Sequence, residues 1–160
     1  MAPRVTGSGR LPRVYFARAI DGQGAGAISS LTLLVNDELT AMGMELVDPT
    51  VNEPQPGEGI SSHIIDYYRA IVDHDLAILR TCDAVLMDMS IPGRSYIGCI
   101  CEMTYAYVWE MPCAVYVGNQ DTRRPWLHYH ATVFQQRKDA VAHLAKKLRD
   151  LQTLMGMISR

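Results

Sequence analysis

Short apolar segments alternate with longer amphipathic ones along this chain. The segments at 84–87 and 113–117 are continuously apolar and rich in Val, as strands that are buried on both faces are. The roughly two dozen residues between them contain an amphipathic helix, and a crossover between parallel strands requires about that length. This part of the sequence therefore predicts a βαβ unit. In such sheets, ligands bind at the carboxyl ends of the strands.

The same alternation predicts the remaining elements. It predicts strands at 13–17, 44–47 and 131–134, helices at about 28–43, 62–81 and 137–154, and a helix that begins near Gly98. Within 62–81, apolar side chains at helical spacing predict a core-facing side formed by Ile64, Ile65, Tyr68, Ile71, Val72, Leu76 and Leu79. The order of elements predicts a three-layer α/β/α sandwich, flavodoxin-like or Rossmann-like, with about five mostly parallel strands.

Polar stretches rich in Gly, Ser and Pro separate these elements. The composition of residues 1–11 predicts a disordered arm, and residues 12–155 are predicted to form a single domain. The loop at 48–59 carries prolines and carboxylates, and we expect it to cover the pocket. Ser61 and Ser62 are candidates for the N-cap of the helix that follows. Residues 119–130 predict a second polar loop.

Composition narrows the functional classes. A formal net charge of −2 gives no reason to expect a nucleic acid or an anionic membrane as a partner. No apolar run approaches the ~18 residues of a membrane span, and no secretory signal follows the basic N-terminus. Cys99 and Cys101 are too close for an easy disulfide and lack the paired CxxC spacing of zinc sites. Cys82 and Cys113 are expected at strand edges, where a reduced thiol is a small hydrophobic group. These features predict a cytoplasmic protein with free thiols.

A glycine-rich turn follows the first strand and leads into a helix. It contains Arg18, Asp21 and three closely spaced glycines. Such a turn, together with the helix N-terminus, suits a phosphate or ribose hydroxyls. The glycines match neither GxGxxG nor the GKS/T phosphate loop. A tight βα turn requires glycine in any case, so a purely structural role stays open.

Acidic side chains are expected at the carboxyl edge of the sheet. Asp88 ends the third predicted strand, Glu102 lies in the first turns of the next helix, and Asp75 precedes that strand. Tyr15 lies on the first strand. Such a group is costly unless something is bound or reacted there. The sequence lacks HExxH, paired His and DxDxDG, so no built-in metal site and no cofactor are predicted, while Mg²⁺ arriving with a phosphate stays open.

Several short motifs resemble those of the nucleoside 2-deoxyribosyltransferases, a superfamily that also contains the nucleoside 5′-monophosphate N-glycosidases. They are VYFA on the first strand, Asp75 on the helix before the third strand, and Gly98-x-x-x-Glu102 followed by Met-x-Tyr-Ala-Tyr. The resemblance covers about residues 13–118. It implies a small-molecule nucleoside or nucleotide as substrate and a homo-oligomeric protein.

The resemblance also implies a double displacement at a sugar carbon. Glu102 matches the nucleophile that attacks C1′, expels the base and forms a glycosyl-enzyme ester. Asp75 matches the acid that protonates the departing base and later deprotonates the incoming base or water. Tyr15 matches the tyrosine that holds the nucleophile's carboxylate. Asp88 is a candidate contact to the base or sugar, and Gly98 lets the loop approach the ligand closely.

The sequence departs from the family's pattern at two places. Many transferases carry Asp six residues before the nucleophile, where this chain has Tyr96, preceded by Ser95 and Arg94. In the first glycine loop, Asp21 would repel a phosphate. We therefore expect a nucleoside without a 5′-phosphate, although Arg18 or Arg94 could compensate.

Two further residues are candidates from the loop after the fourth strand. In the family, a loop at this position reaches the site of a neighbouring subunit, so Asn119 and His130 are candidate substrate contacts. An ordinary solvated loop is the competing interpretation for both. Tyr105 and Trp109 are expected to line a subunit interface or to pack in the core.

Three alternatives concern the reaction itself. A hydrolase would resolve the ester with water and a transferase with a second base, and the sequence leaves both open. A non-catalytic nucleoside or nucleotide sensor is a third hypothesis. A phosphoacceptor domain built on Asp88 is disfavoured, because such a domain needs a Lys after its last strands and an acidic pair after the first, whereas the first strand ends in Ala-Arg and the first Lys of this chain is Lys138.

Overall fold

Five parallel strands form one sheet with helices on both of its faces. The computed structural model describes residues 9–20, 22–55, 63–120 and 123–158. The elements are β1 (Arg13–Arg18), α1 (Ala25–Ala41), β2 (Glu45–Val47), α2 (Ile64–Leu79), β3 (Ala84–Asp88), α3 (Ile97–Val108), β4 (Cys113–Tyr116), α4 (Pro125–His130), β5 (Thr132–Phe134) and α5 (Arg137–Ile158). The strand order is β2-β1-β3-β4-β5, and every pairing is parallel. The predicted three-layer flavodoxin-like sandwich is confirmed.

Alternation along the strands divides the core into two halves. Val14 and Phe16 of β1 face α1 and α5, whereas Tyr15 and Ala17 face α2, α3 and α4. Residues of β1, β3 and β4 are fully or almost fully buried, as expected for central strands covered on both faces. The Tyr15 side chain therefore points into the layer that contains α2 and α3.

The helix α2 differs from the prediction. Only Leu79 of the predicted core-facing set is buried, and Leu76 is packed against the core. Four members of that set are largely exposed: Ile64, Ile65, Tyr68 and Val72. At 1.5 Å per residue, α2 is about 24 Å long, whereas the five residues of β3 span only about 16 Å. The sheet can therefore bury only the C-terminal half of α2.

Smaller differences concern loops and helix ends. The predicted polar loop at 119–130 contains the short helix α4, which buries Leu127. The predicted N-cap residues Ser61 and Ser62 lie outside the described residues, and His63 occupies the N-cap position, where its side chain does not cap the helix. Most of the predicted N-terminal arm also lies outside them, and Arg10 within it pairs with Asp83 at 2.8 Å.

Candidate active site

A cleft of ≈ 230 Å³ opens at the carboxyl edge of the sheet, beside the end of β1. Its walls come from β1 and the turn after it, the loop after β2, α2, and the start of α3. The lining residues are Phe16, Ala17, Arg18, Ala19, Ile20, Pro49, Thr50, Glu53, Asp75, Ser95, Tyr96, Gly98, Cys99 and Glu102. The structure thus brings Glu102 and Asp75 to one cleft.

The carboxylate of Glu102 is held by β1. The hydroxyl of the fully buried Tyr15 donates a hydrogen bond of 2.6 Å to Oε1 of Glu102. Burial raises the pKa of Glu102 to about 7; the Tyr15 hydrogen bond opposes that increase, and the nearby Asp75 carboxylate adds to it. Burial also raises the pKa of the Tyr15 phenol, so Tyr15 remains a donor. Within the described residues, this bond engages Oε1 of Glu102 and not Oε2.

Asp75 lies on α2, across the cleft from the loop after β2. Burial raises its pKa to about 6, and the carboxylate of Glu53 adds to the increase. The neighbouring His74 opposes the increase, and its Nε2 lies 3.2 Å from the Pro49 carbonyl oxygen, where it donates a hydrogen bond in the appropriate tautomer. Two carboxyl groups that titrate near neutral pH therefore share one cleft, an arrangement typical of acid–base or nucleophilic chemistry.

The guanidinium of Arg18 is engaged in a buried ion pair. Its Nη2 donates to Oδ2 of Asp48 at 2.8 Å and its Nη1 donates to Oδ1 at 3.3 Å, and the Arg18 side chain is only 2% exposed. Thr50 donates to Oδ1 of the same carboxylate from its main chain and its hydroxyl, at 3.0 and 2.8 Å. Arg18 lines the cleft, but Asp48 neutralises its charge.

Asp88 does not line the cleft. It lies at the end of β3, in register with Arg18, and its Oδ1 accepts hydrogen bonds from the main chain and hydroxyl of Ser90 at 2.8 and 2.6 Å. Because side chains alternate along β3, the Asp88 side chain lies on the same side of the sheet as Leu86, which faces α1 and α5, whereas Met87 faces the other side. The geometry separates Asp88 from the acid pair.

The start of α3 contributes three predicted residues to the cleft wall: Ser95, Tyr96 and Gly98. The Tyr96 hydroxyl is anchored to the main chain of Ile91, accepting from its N–H at 3.1 Å and donating to its carbonyl at 2.9 Å. Tyr96 is thus fixed as a wall and does not replace a carboxylate at this position.

Arg94 joins the loop before α3 to the glycine turn after β1. Its Nη2 donates to the Gly22 carbonyl at 2.9 Å. Gly22 has a φ of +72°, a left-handed backbone conformation that favours glycine, and a Cβ atom there would clash with Nη1 of Arg94. Asp21, the predicted phosphate-repelling residue, lies outside the described residues.

Asn119 and His130 lie away from this cleft. Asn119 is exposed after β4. His130 ends α4, where its ring stacks on Trp126 at 5.6 Å between ring centroids and its Nδ1 lies 2.8 Å from the Trp126 carbonyl oxygen. Neither residue contributes to the cleft within one copy of the chain.

Sequence reasoning missed Glu53 and Cys99 as cleft residues. Glu53 belongs to a loop that was expected to cover the pocket, and the position of that loop after a strand was the available signal. Cys99 lies one helical turn before Glu102, and burial raises the pKa of its thiol to about 12, so the thiol is neutral.

Among the described residues, no group of three or more His, Cys, Asp or Glu side chains could hold a metal ion. Within these residues, no helix has the length and apolar character needed to cross a membrane.

Comparison with known proteins supports the fold. No protein-family model matches the sequence, and no curated protein matches it. A 2-deoxyribosyltransferase from Bacillus psychrosaccharolyticus aligns over 81% of this chain and 90% of its own, with 14% identity and a TM-score of 0.60. A conserved protein from Enterococcus faecalis V583 aligns over 88% of this chain and 98% of its own, with 13% identity and a TM-score of 0.61.

A third solved structure is less similar. The CMP N-glycosidase from Clostridium botulinum aligns over 82% of this chain and 97% of its own, with 18% identity and a TM-score of 0.47. At these identities the first two comparisons show a shared fold and nothing finer. That fold is the one implied by the resemblance between the sequence motifs and the deoxyribosyltransferases.

Proposed function

We propose that this chain, which has the fold of a 2-deoxyribosyltransferase, cleaves the N-glycosidic bond of a (deoxy)nucleoside and transfers the 2-deoxyribosyl group to another nucleobase. One observation carries the proposal: Glu102 and Asp75 line the same cleft, and Tyr15 holds Oε1 of Glu102 at 2.6 Å. A nucleophile and an acid on either side of one small cavity are the elements that a retaining displacement at an anomeric carbon requires.

The proposed reaction has two steps. Oε2 of Glu102 attacks C1′, the C1′–N bond breaks, and its electron pair remains on the base nitrogen, which takes the proton of Asp75. The product is a glycosyl ester of Glu102 and a free base. In the second step the nitrogen of another base attacks C1′ and gives its proton to Asp75, and the ester bond breaks to restore Glu102.

The ionisation of the pair is compatible with these roles. Because burial raises the pKa values of both carboxyl groups and the two values lie close together, moving one shared proton from Glu102 to Asp75 costs little free energy. The form with Glu102 ionised and Asp75 protonated is therefore accessible to the proposed reaction.

The charges around the cleft favour a substrate without a 5′-phosphate. Glu53, Asp75 and Glu102 line the cleft, and the charge of Arg18 is neutralised by Asp48. A phosphate dianion would meet carboxylates without a free cation in this wall. Ser95, Tyr96 and Gly98 are proposed to contact the sugar, because they line the cleft beside Glu102.

Intact-protein mass spectrometry tests the proposal. The protein is mixed with a panel of deoxynucleosides, and we expect a mass gain of one deoxyribosyl group and, with a second base added, an exchanged nucleoside. Glu102→Gln should remove the adduct and lower kcat/KM by at least about 10³-fold, whereas Asp75→Asn should lower it by about 10²- to 10⁴-fold.

The same experiment separates the competing functions. Release of free sugar with no base exchange would identify a glycosidase. Tight nucleoside binding without an adduct, unchanged in Glu102→Gln, would identify a sensor and contradict the proposal. The Asp73→Asn variant is the matched control, because it removes an exposed carboxylate from the same helix as Asp75.

We also propose that the protein is a cytoplasmic homo-oligomer. The layer of α2, α3 and α4 exposes many large apolar side chains: Ile64, Ile65, Tyr68, Val72, Ile97, Ile100, Tyr105, Val108, Trp126 and Tyr129. Apolar surface of this extent is typical of protein–protein contacts. Trp109, by contrast, packs against the core beneath Arg80. Light scattering checks the assembly, and a monomer at all concentrations would contradict it; cell fractionation checks the location.

A further inference from the structure

Glu53 is the third carboxylate in the cleft, and no step of the proposed reaction uses it. It lines the cleft together with Asp75 and Glu102. It follows Asn52, whose φ of 60° is left-handed and marks a tight turn of the loop after β2. Glu53 therefore does not lie on a freely extended segment.

Two contacts fix the loop that carries Glu53. Asp48, at its start, is bonded to Arg18 and Thr50. Pro49 is tied to α2 through the ring of His74, which immediately precedes Asp75. These contacts couple the position of the loop to the helix that carries the proposed acid.

Glu53 lies on the side of the cleft that carries the proposed acid. Its loop is bonded to α2 directly beside Asp75, and the Glu53 carboxylate adds to the raised pKa of Asp75. Among the described residues, the titratable groups near Asp75 include Glu53 from the loop, Glu102 from α3, Tyr15 from β1, and His74 on α2 itself. A negative charge near one member of a carboxyl pair favours the proton on that member.

We propose that Glu53 is a positioning residue that favours Asp75 over Glu102 as the holder of the proton the two acids share. This inference rests on the proposed function, in which Asp75 gives that proton to the departing base. Without Glu53 the proton resides more completely on Glu102, which is then a neutral and poor nucleophile. The loop after β2 thereby favours the form in which Asp75 is protonated and Glu102 is ionised.

Carboxyl NMR titration tests this without any need for activity. In Glu102→Gln protein with ¹³C-labelled carboxyl groups, adding Glu53→Gln should move the midpoint of Asp75 to lower pH. Adding Glu53→Asp should restore most of the original midpoint, and adding Asp73→Asn should leave it unchanged. In Asp75→Asn protein, adding Glu53→Gln should leave the midpoint of Glu102 unchanged.

Kinetics supply the second readout. In otherwise unchanged protein, Glu53→Gln should lower kcat about twofold to tenfold, since a decrease of one unit in the pKa of Asp75 changes the ratio of the two singly protonated forms tenfold. KM should not change. An unmoved Asp75 midpoint, or equal movement of both acids, overturns the inference, as does a rise in KM alone, which would make Glu53 a substrate contact. A moved Asp75 midpoint in a protein that transfers no sugar would instead refute the proposed function.

Discussion

Two groups of carboxylates lie at the same edge of the sheet, and the protein holds them in opposite ways. Asp48 is buried against Arg18, and although burial alone would raise its pKa, the hydrogen bonds from Arg18 and Thr50 lower it. Asp75 and Glu102 form no salt bridge within the described ranges, and the pKa of each is raised. Burial is common to both groups, so the cation beside Asp48 accounts for the opposite direction of its pKa shift.

The comparison also explains why Arg18 is a poor candidate for direct substrate recognition. A guanidinium next to Glu102 would return the carboxylate to its ordinary pKa and would attract phosphate. Pairing it with Asp48 instead fixes the loop that carries Pro49 and Glu53. The ion pair is thus proposed to support the site without entering its chemistry.

The largest expected effect comes from breaking the ion pair. Arg18→Met leaves Asp48 buried without its cation, and we expect the free energy of unfolding to fall by about 3–5 kcal/mol. Urea denaturation at pH 7 measures it. The control is Lys146→Met, which breaks the exposed pair with Asp150 and should leave the free energy of unfolding almost unchanged. Equal losses of the free energy of unfolding in both variants would contradict a larger contribution from the buried Arg18–Asp48 pair.

An intermediate effect is expected from Tyr15→Phe, which removes the donor to Glu102. A hydrogen bond to a charged group contributes about 1.5–3 kcal/mol, so kcat/KM at pH 7 should fall roughly tenfold to a hundredfold. Because the bond lowers the pKa of Glu102, its loss raises that pKa and the activity should partly recover at higher pH. Tyr105→Phe, on the exposed side of α3, should have no effect. A pH-independent loss would argue against this role.

The smallest effect is a pair of opposite pH dependences of stability. The folded pKa values of Asp75 and Glu102 lie above their unfolded values near 4, so their contribution is fully present below about pH 4 and is lost as the pH rises through 6 to 7. The lowered pKa of Asp48 has the opposite sign, with stability lost on acidification. Between pH 5 and pH 7.5, the free energy of unfolding should decline less in Asp75→Asn/Glu102→Gln protein than in the unchanged protein, as denaturation at the two pH values would show. An unchanged decline would contradict the raised values.

Strand positions were predictable because strands that are buried on both faces appear in the sequence as short apolar runs. The predicted segments at 13–17 and 84–87 each differ from the observed strand by one residue. The helix at 137–154 was also predicted, and it continues to Ile158. Its buried residues, such as Leu144 and Leu148, recur at the spacing that periodicity detects.

The outward side of α2 and the cleft partners were not predictable in this way. Apolar residues at helical spacing predict a contact but not whether the contact lies within one chain, so Ile64 and Tyr68 were assigned to the core and are exposed. The parallel direction of the predicted strands placed Asp88 at the carboxyl edge of the sheet, but its side of the sheet depends on alternation through the strand. The proximity of Glu53 to Asp75 depends on the path of a loop, which no periodic pattern encodes.

The hydrogen bond between Tyr15 and Glu102 joins residues 87 positions apart in the chain. During synthesis, neither Glu102 nor Asp75 would therefore have a raised pKa until β1 had paired with β3 and α3 had packed against the sheet. A nascent or truncated chain would carry ordinary, solvated carboxylates. The proposed sugar-transfer chemistry would consequently begin only when folding is complete.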